Sequence, residues 1–256
     1  MNNFYPTNLT DSQWSAIIAI LGDKRKRKHS LREIFNAIFY MLKTGSQWRM
    51  LPSDFPKWQL VYYYFNKWKM DGTIDEIHEI LRDKTRNAAG RAQSPSLGLI
   101  DSQSVKTTRG GGVERGIDGG KKTKGRKRHI VVDTMGLLMS VVVHAANIHD
   151  SKAAPLVLSD LKFRFQRLSK IIADGGYRGV LIEDNKKTLG WVMEVVLRKD
   201  DSPKFQVIPK RWVVERTFAW LESYRRLSKD FEYLTETSKA MIQLAMIKLM
   251  LNRMKE

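Results

Sequence analysis

Apolar residues over the first ninety positions recur at helical spacing. Trp14, Ile17, Ile18 and Leu21 fall at i, i+3, i+4 and i+7 behind Thr10 and Gln13, a pair that predicts a capped helix start. Ser30 with Glu33 repeats the signature ahead of Leu31, Ile34, Phe35, Ile38 and Leu42, and Gly45 predicts the stop. Pro56 suits the first turn of a third helix carrying Trp58, Val61, Tyr62, Phe65 and Trp68. Thr73 with Glu76 opens a fourth, with Ile74, Ile77 and Leu81 along it. These elements predict an all-helical domain over residues 1–90.

The pattern changes after the small-residue stretch at 88–96 (AAGRAQSPS), which reads as a domain boundary. Short apolar runs then predict strands at Leu97–Val105, Arg128–Asp133, Leu137–His144, Lys170–Ala173 and Trp191–Leu197. Helices follow at Pro209–Leu227 and Ser238–Met254, the second apolar on most faces and so expected to be buried. Residues 91–256 therefore read as an α/β domain with a mixed sheet. Gly110–Arg128, rich in glycine and positive charge, reads as a flexible loop leading into the second strand.

Charge adds a partner to this outline. The chain of 256 residues has 45 Lys and Arg against 27 Asp and Glu, a net charge of +18. Such an excess points to a polyanion, nucleic acid foremost, with a merely basic solvated surface as the alternative. The N-terminal helices then become a helix-turn-helix-like DNA-binding module, although spacing alone does not say which helix would enter a groove. The run Lys24–Lys28 is either a solvated loop or a phosphate contact. The aromatic row from Trp58 to Trp68 could stack on bases, but its helical spacing favours the core. The chain has no cysteine, which excludes a disulfide scaffold, a thiolate metal site and a thiol nucleophile. With neither a signal pattern nor an apolar run of about 18 residues, the chain is expected in the cytoplasm and not in a membrane.

Three acids stand out by position. Asp101 follows Leu99-Ile100 on a predicted strand, Asp174 follows Ile171-Ile172-Ala173 before Gly175-Gly176, and Glu215 lies inside a predicted helix. Carboxylates converging from strands and a helix would make the oxygen-rich site that Mg²⁺ prefers. Each taken alone has a plainer reading, Asp174 as a turn residue and Glu215 as a surface ion pair. His144, His149 and Asp150 fit no common zinc spacing. The glycine clusters at 110–112 and 119–120 lack the order of a P-loop, and no Gly-x-Ser-x-Gly elbow occurs.

Several separated motifs together carry a resemblance. LIDSQSVK (99–106), DGGKKTKGRKRHIVVDTMGLL (118–138), ADGGYRG (173–179), WVVERTFAWL (212–221) and YRRLSKDFEY (224–233) resemble the DDE transposases of bacterial insertion-sequence family 5, within the grouping of families 4 and 5. LTDSQWSAIIAIL and GSQWRMLPSDFPKWQLVYYYFNKW resemble the helical domain that precedes catalysis there, so the similarity runs from about Leu9 to Tyr233. The resemblance implies an RNase H-like catalytic domain with Asp101, Asp174 and Glu215 as catalytic residues. They would ligate two Mg²⁺ ions, with Mn²⁺ as substitute. The wider signature of Tyr, Arg, Glu and a basic residue is met by Arg211 and Glu215, whereas Ile208 and Glu222 occupy its first and last positions. Arg225 or Arg226 is expected to supply the missing charge, Arg226 lying eleven residues from Glu215 on the same helix face. Lys106, Lys121, Lys122, Lys124, Arg126, Lys127, Arg128, Tyr177, Arg178, Arg211, Arg225 and Arg226 are the expected DNA contacts. The activity implied is cleavage of the ends of a mobile element and joining of their 3′-hydroxyls to target DNA. It would be carried out by a homodimer on paired double-stranded ends at the bacterial nucleoid. A nuclease of the same fold that does not join strands, or an inactive DNA-binding relative, are the alternatives.

Overall fold

The computed structural model describes residues 4–178, 180–196 and 211–254. Two of the expected caps form. Thr10 Oγ1 accepts from the Gln13 amide at 3.3 Å while Gln13 Oε1 accepts from the Thr10 amide, starting α1 (Asp11–Leu21). Ser30 and Glu33 exchange the same pair of bonds at the start of α2 (Leu31–Thr44), which Gly45 ends in the left-handed region at φ 74°. The next two starts differ from expectation. α3 (Trp58–Met70) has Lys57 at its N-cap, so Pro56 directs the approach and is not in the first turn. α4 (Thr73–Ala88) follows Gly72, and Thr73 is already helical. Its amide and hydroxyl donate to Asp71 Oδ1 at 3.1 and 2.6 Å, so no box with Glu76 forms.

Residues 4–89, 221–229 and 240–254 make one compact unit. The division expected near residue 90 is thus not a single cut, because α9 (Thr235–Leu251) contributes its later turns to the N-terminal helices. The reason is its composition: a helix apolar all round has no solvent-compatible face and must be surrounded. Met241, Leu244 and Ile247 of α9 are fully buried, as are Ile17, Ile34, Phe35, Phe65 and Ile77. Gln243 Nε2 ties α9 to α4 by donating to Asp75 Oδ1 at 2.7 Å. The aromatic row of α3 is divided. Val61, Phe65 and Trp68 are core, with Trp68 stacked on Phe35 at 4.4 Å, whereas Tyr62 and Tyr63 are exposed.

Residues 90–220 and 230–239 make the second unit. Its strands are β1 (Leu97–Lys106), β2 (Gly116–Asp118), β3 (Thr123–Val132), β4 (Leu138–Ala145), β5 (Lys170–Ala173) and β6 (Val192–Val195). The sheet runs β2-β3-β1-β5-β6, with β4 also on β3. β3 is antiparallel to β1 and β4, while β5 is parallel to β1 and β6, which makes the sheet mixed as expected. Helices α5 (Asp150–Leu158), α6 (Leu161–Arg164), α7 (Val180–Leu189) and α8 (Trp212–Glu222) flank it. Ile100, Val131, Met139, Val157, Phe165 and Ile171 form the core under α5. This curled mixed sheet with flanking helices is an RNase H-like arrangement.

Two expectations are corrected here. The stretch 110–128 is not one loop, since it contains β2 and the first six residues of β3. Gly125 permits this: a Cβ there would stand 2.0 Å from the Val105 carbonyl oxygen, so only glycine lets β3 lie against β1. The helix expected over 209–227 ends at Glu222 and is followed by a separate 3₁₀ turn at Arg225–Leu227. Pro209, Ile208 and Leu197 lie outside the described residues. No helix among the described residues is long and apolar enough to cross a membrane.

Candidate active site

Strand register alone brings two of the three acids together. Leu99 of β1 pairs in parallel with Ile172 of β5. Asp101 and Asp174 each lie two residues further on, side by side where β5 ends. Side chains alternate along a strand, so Asp101 shares a face with Leu99, opposite the Ile100 face that packs under α5. The third acid comes from α8, whose Val213, Val214, Thr217, Phe218 and Leu221 are buried. Thr217 Oγ1 donates to the Gly136 carbonyl at 3.0 Å and Arg216 to the Met135 carbonyl at 3.0 Å, fixing α8 on the β3–β4 turn. Arg216 is also held between the rings of Trp212 and Trp220.

Each aspartate has one oxygen held and one aimed. Asp101 Oδ1 accepts from the Ser102 amide at 2.7 Å, and Asp174 Oδ1 from the Gly176 amide at 2.9 Å. Their Oδ2 atoms stand 4.0 and 3.7 Å from one nitrogen of Arg211, and Glu215 Oε1 lies 3.3 Å from that same nitrogen. Three carboxylates thus surround one cation. Burial, reinforced by the neighbouring Asp174 charge, pushes the Asp101 carboxyl up to about 7. The Ser102 amide, Arg211 and Lys121 oppose that rise. Among the described residues, no group of three or more His, Asp or Glu side chains is close enough as it stands to hold a metal ion. The donor set nevertheless suits a hard divalent cation, being all carboxylate oxygen around a point already occupied by positive charge. A cation held by these oxygens would take the place of the Arg211 guanidinium.

Behind the pair, on the α5 face of the sheet, lies a polar network the sequence did not disclose. Ser102 Oγ and Lys127 Nζ donate to Asp150 Oδ1 at 2.7 and 2.9 Å. Burial alone would raise the Asp150 carboxyl, but these two bonds outweigh it and hold the group below its usual range. Tyr177 is fully buried with its hydroxyl 2.7 Å from His129 Nε2. Burial, with His144 nearby, depresses the His129 ring to about 3. The only signal for Asp150 was its place beside His149. His149 in fact caps α5 by accepting from the Ser151 amide.

The expected DNA contacts separate by exposure. Lys106, Lys121, Lys122, Lys124, Arg178 and Arg225 are exposed, Lys121 also donating to the Ser102 carbonyl at 3.2 Å. Arg126, Lys127, Arg128 and Tyr177 are buried and present nothing to a phosphate in this structure. Arg126 donates to the carbonyls of Glu114, Glu232 and Tyr233 at 2.7–2.9 Å and pairs with Asp230 at 3.3 Å. Arg211 faces the carboxylates. Arg226 is buried beyond the end of α8, its guanidinium donating to the Ser46 carbonyl at 3.2 Å, so it does not continue the helix face of Glu215.

Comparison with known proteins finds two family models and a relative. The family described as "Transposase DDE domain" matches residues 92–250, and the family described as "Putative transposase of IS4/5 family" matches residues 9–78. A relative from Burkholderia cepacia, "Putative transposase for insertion sequence element IS402", is 32% identical over 128 residues. That similarity covers 47% of this chain and 60% of the relative's length.

Proposed function

The chain belongs to the DDE-domain transposases of the IS4/5 type, and on that premise we propose that it cleaves the ends of an insertion sequence and joins them to target DNA. The observation that carries this reading is the convergence of Asp101, Asp174 and Glu215 on one cation from adjacent strands and a facing helix. These three side chains would hold two Mg²⁺ ions, with Mn²⁺ able to substitute. When bound, such ions neutralise the attacking and leaving oxygens of an in-line phosphoryl displacement.

The remaining contributions are the chain's own. The Ser102 and Gly176 amides hold each aspartate with one oxygen already aimed, so little reorganisation accompanies reaction. Arg211 keeps the three carboxyl groups together until a stronger cation replaces it. Lys106, Lys121, Lys122, Lys124 and Arg178 position phosphate backbones by charge and carry little sequence information. Water is the first nucleophile and frees a 3′-hydroxyl at the element's end. That hydroxyl then attacks a target phosphodiester in the same site, forming the new junction as the target's own P–O3′ bond breaks and its 3′-hydroxyl leaves with the proton. The protein works on double-stranded DNA as a homodimer, one protomer to each end, in the bacterial cytoplasm at the nucleoid.

The test uses the purified chain with Mg²⁺ or Mn²⁺, a duplex carrying the element's end and a plasmid target. Expected are 3′-hydroxyl ends and joined products, both lost in Asp101→Asn and Asp174→Asn while DNA binding persists. Cleavage without joined products would replace this reading with that of a nuclease. Near-wild-type cleavage by either variant would refute the assignment of the acids.

A further inference from the structure

The helical unit contains one helix whose exposed side is built for contact. Gln59, Tyr62, Tyr63, Asn66, Lys67 and Met70 of α3 fall at i, i+3, i+4, i+7, i+8 and i+11, a single stripe. Tyr63 is 58% and Met70 80% exposed although the helix's other face is core. Among α1 to α4, α3 alone contains no Asp or Glu. On α4, by contrast, Glu76 is exposed with Glu79 and Asp83 half-buried beside it, acids that would repel a polyanion.

Cations are placed beside that stripe by specific bonds. The Arg27 guanidinium donates to Tyr64 of α3 at 3.1 Å and to both carboxylate oxygens of Asp23 at 2.9 and 2.5 Å. This ties the basic loop to α3 and leaves Lys24, Arg25, Lys26 and Lys28 exposed next to it. Arg49, also exposed, lies over the Trp58 ring at 5.4 Å at the helix's N-terminal end.

We propose that α3 is the sequence-reading helix for the element's ends, seated in the major groove of double-stranded DNA. The proposal rests on the transposase reading above and names the surface that selects its substrate. A major groove about 12 Å wide admits one helix. Gln59 to Met70 extends about 16 Å at 1.5 Å per residue, enough to pass roughly five base pairs. Gln59 and Asn66 have the paired donor and acceptor that match the adenine edge, and Met70 and the tyrosine rings offer apolar contact to thymine methyls. The tethered basic loop and Arg49 take phosphates on either side, which fixes the helix in register.

The test presents the full-length protein with a duplex library of randomised sequence and reads the bound fraction. The wild type is expected to enrich one motif. Gln59→Ala and Asn66→Ala should each lower the preference at one or two adjacent base pairs by about tenfold, a typical worth of one bidentate base contact, without changing salt dependence. The triple variant Lys24→Ala, Lys26→Ala, Lys28→Ala should keep the motif but flatten the salt slope by about 2 to 3, at about 0.9 per phosphate. Gln59 and the three lysines are exposed and Asn66 is half-buried, and unchanged melting curves exclude misfolding. Undiminished preference in both α3 variants, the result if this face served a protein partner, would overturn the proposal, as would a wild type that enriches nothing. Failure of the transposase reading would be seen separately, as an enriched motif that is bound but never cleaved.

Discussion

Arg126 is the sharpest place to separate a DNA contact from a structural charge. Its side chain is fully buried, and Asp230, its ionic partner, is 2% exposed. It holds the segment from Asp230 to Lys239 against β3 through the carbonyls of Glu232 and Tyr233 and the hydroxyl of Ser238. Arg126→Met would leave the Asp230 carboxylate buried without this cation and take away the donor that the Glu114, Glu232 and Tyr233 carbonyls share. Removing one partner of a buried pair costs about 3–5 kcal/mol. In a chain of this size each kcal/mol moves Tm by about 2–4 °C, so the loss is about 10 °C. The double variant Arg126→Met, Asp230→Asn removes the stranded charge and should recover part of it. Melting is followed by far-ultraviolet circular dichroism, and DNA affinity is measured against salt at a temperature where both variants remain folded. The expected result is a large fall in Tm with an unchanged salt slope. A fall below about 2 °C, together with a slope reduced by about 0.9, would show that Arg126 serves phosphate and refute the reasoning.

Other outcomes follow from the same geometry. With the Asp101 carboxyl raised from 3.8 to about 7, the metal-free folded state holds a proton that the unfolded chain has lost, so this group's contribution to stability falls as pH rises through that window. Asp101→Asn removes the effect, and in chelator its stability relative to wild type should gain about 1.4 kcal/mol per pH unit there; a constant difference would contradict the buried carboxyl. His129 acts in the opposite sense: with its pKa lowered from 6.5 to about 3, stability is lost as pH falls from 6.5 to 3. His129→Asn should therefore be less sensitive to acid than wild type in denaturant titrations. Mn²⁺ binding must displace the Asp101 proton, so affinity by calorimetry should drop about tenfold per pH unit below 7, and pH-independent affinity would exclude Asp101 as a ligand. Glu215→Gln should abolish cleavage whereas Glu222→Gln, at the exposed end of α8, should retain it; the reverse would move the third acid to Glu222.

Some of this protein was determined within short stretches of chain. The helix starts at Thr10 and Ser30 are legible because each cap and its partner are three residues apart, and Gly45 stops α2 through its own backbone freedom. The alternation and apolar runs of β1, β4 and β5 located those strands, and the run of apolar residues in α9 announced its burial. The motifs around Asp101, Asp174 and Glu215 were readable as a family pattern, but their meeting was not. It depends on the Leu99–Ile172 register and on the anchoring of α8 by residues 81 positions away. The same physics explains the errors. The run Lys121 to Arg128 reads as part of a flexible, DNA-contacting loop because an isolated charge belongs in water, yet β3 continues through it. Arg126 is stable inside because Asp230 lies across the fold, and Lys127 because Asp150 does. At Thr73 a neighbour two residues back, Asp71, took the hydroxyl that a capping box would have used. Arg211 has the same lesson at the site itself, since nothing in its flanking residues says that its charge points inward. Hydrogen bonds between near neighbours are encoded where they form. The partner of a buried charge is chosen by the tertiary fold, because only the fold brings distant groups together and removes the water that would otherwise compete for them.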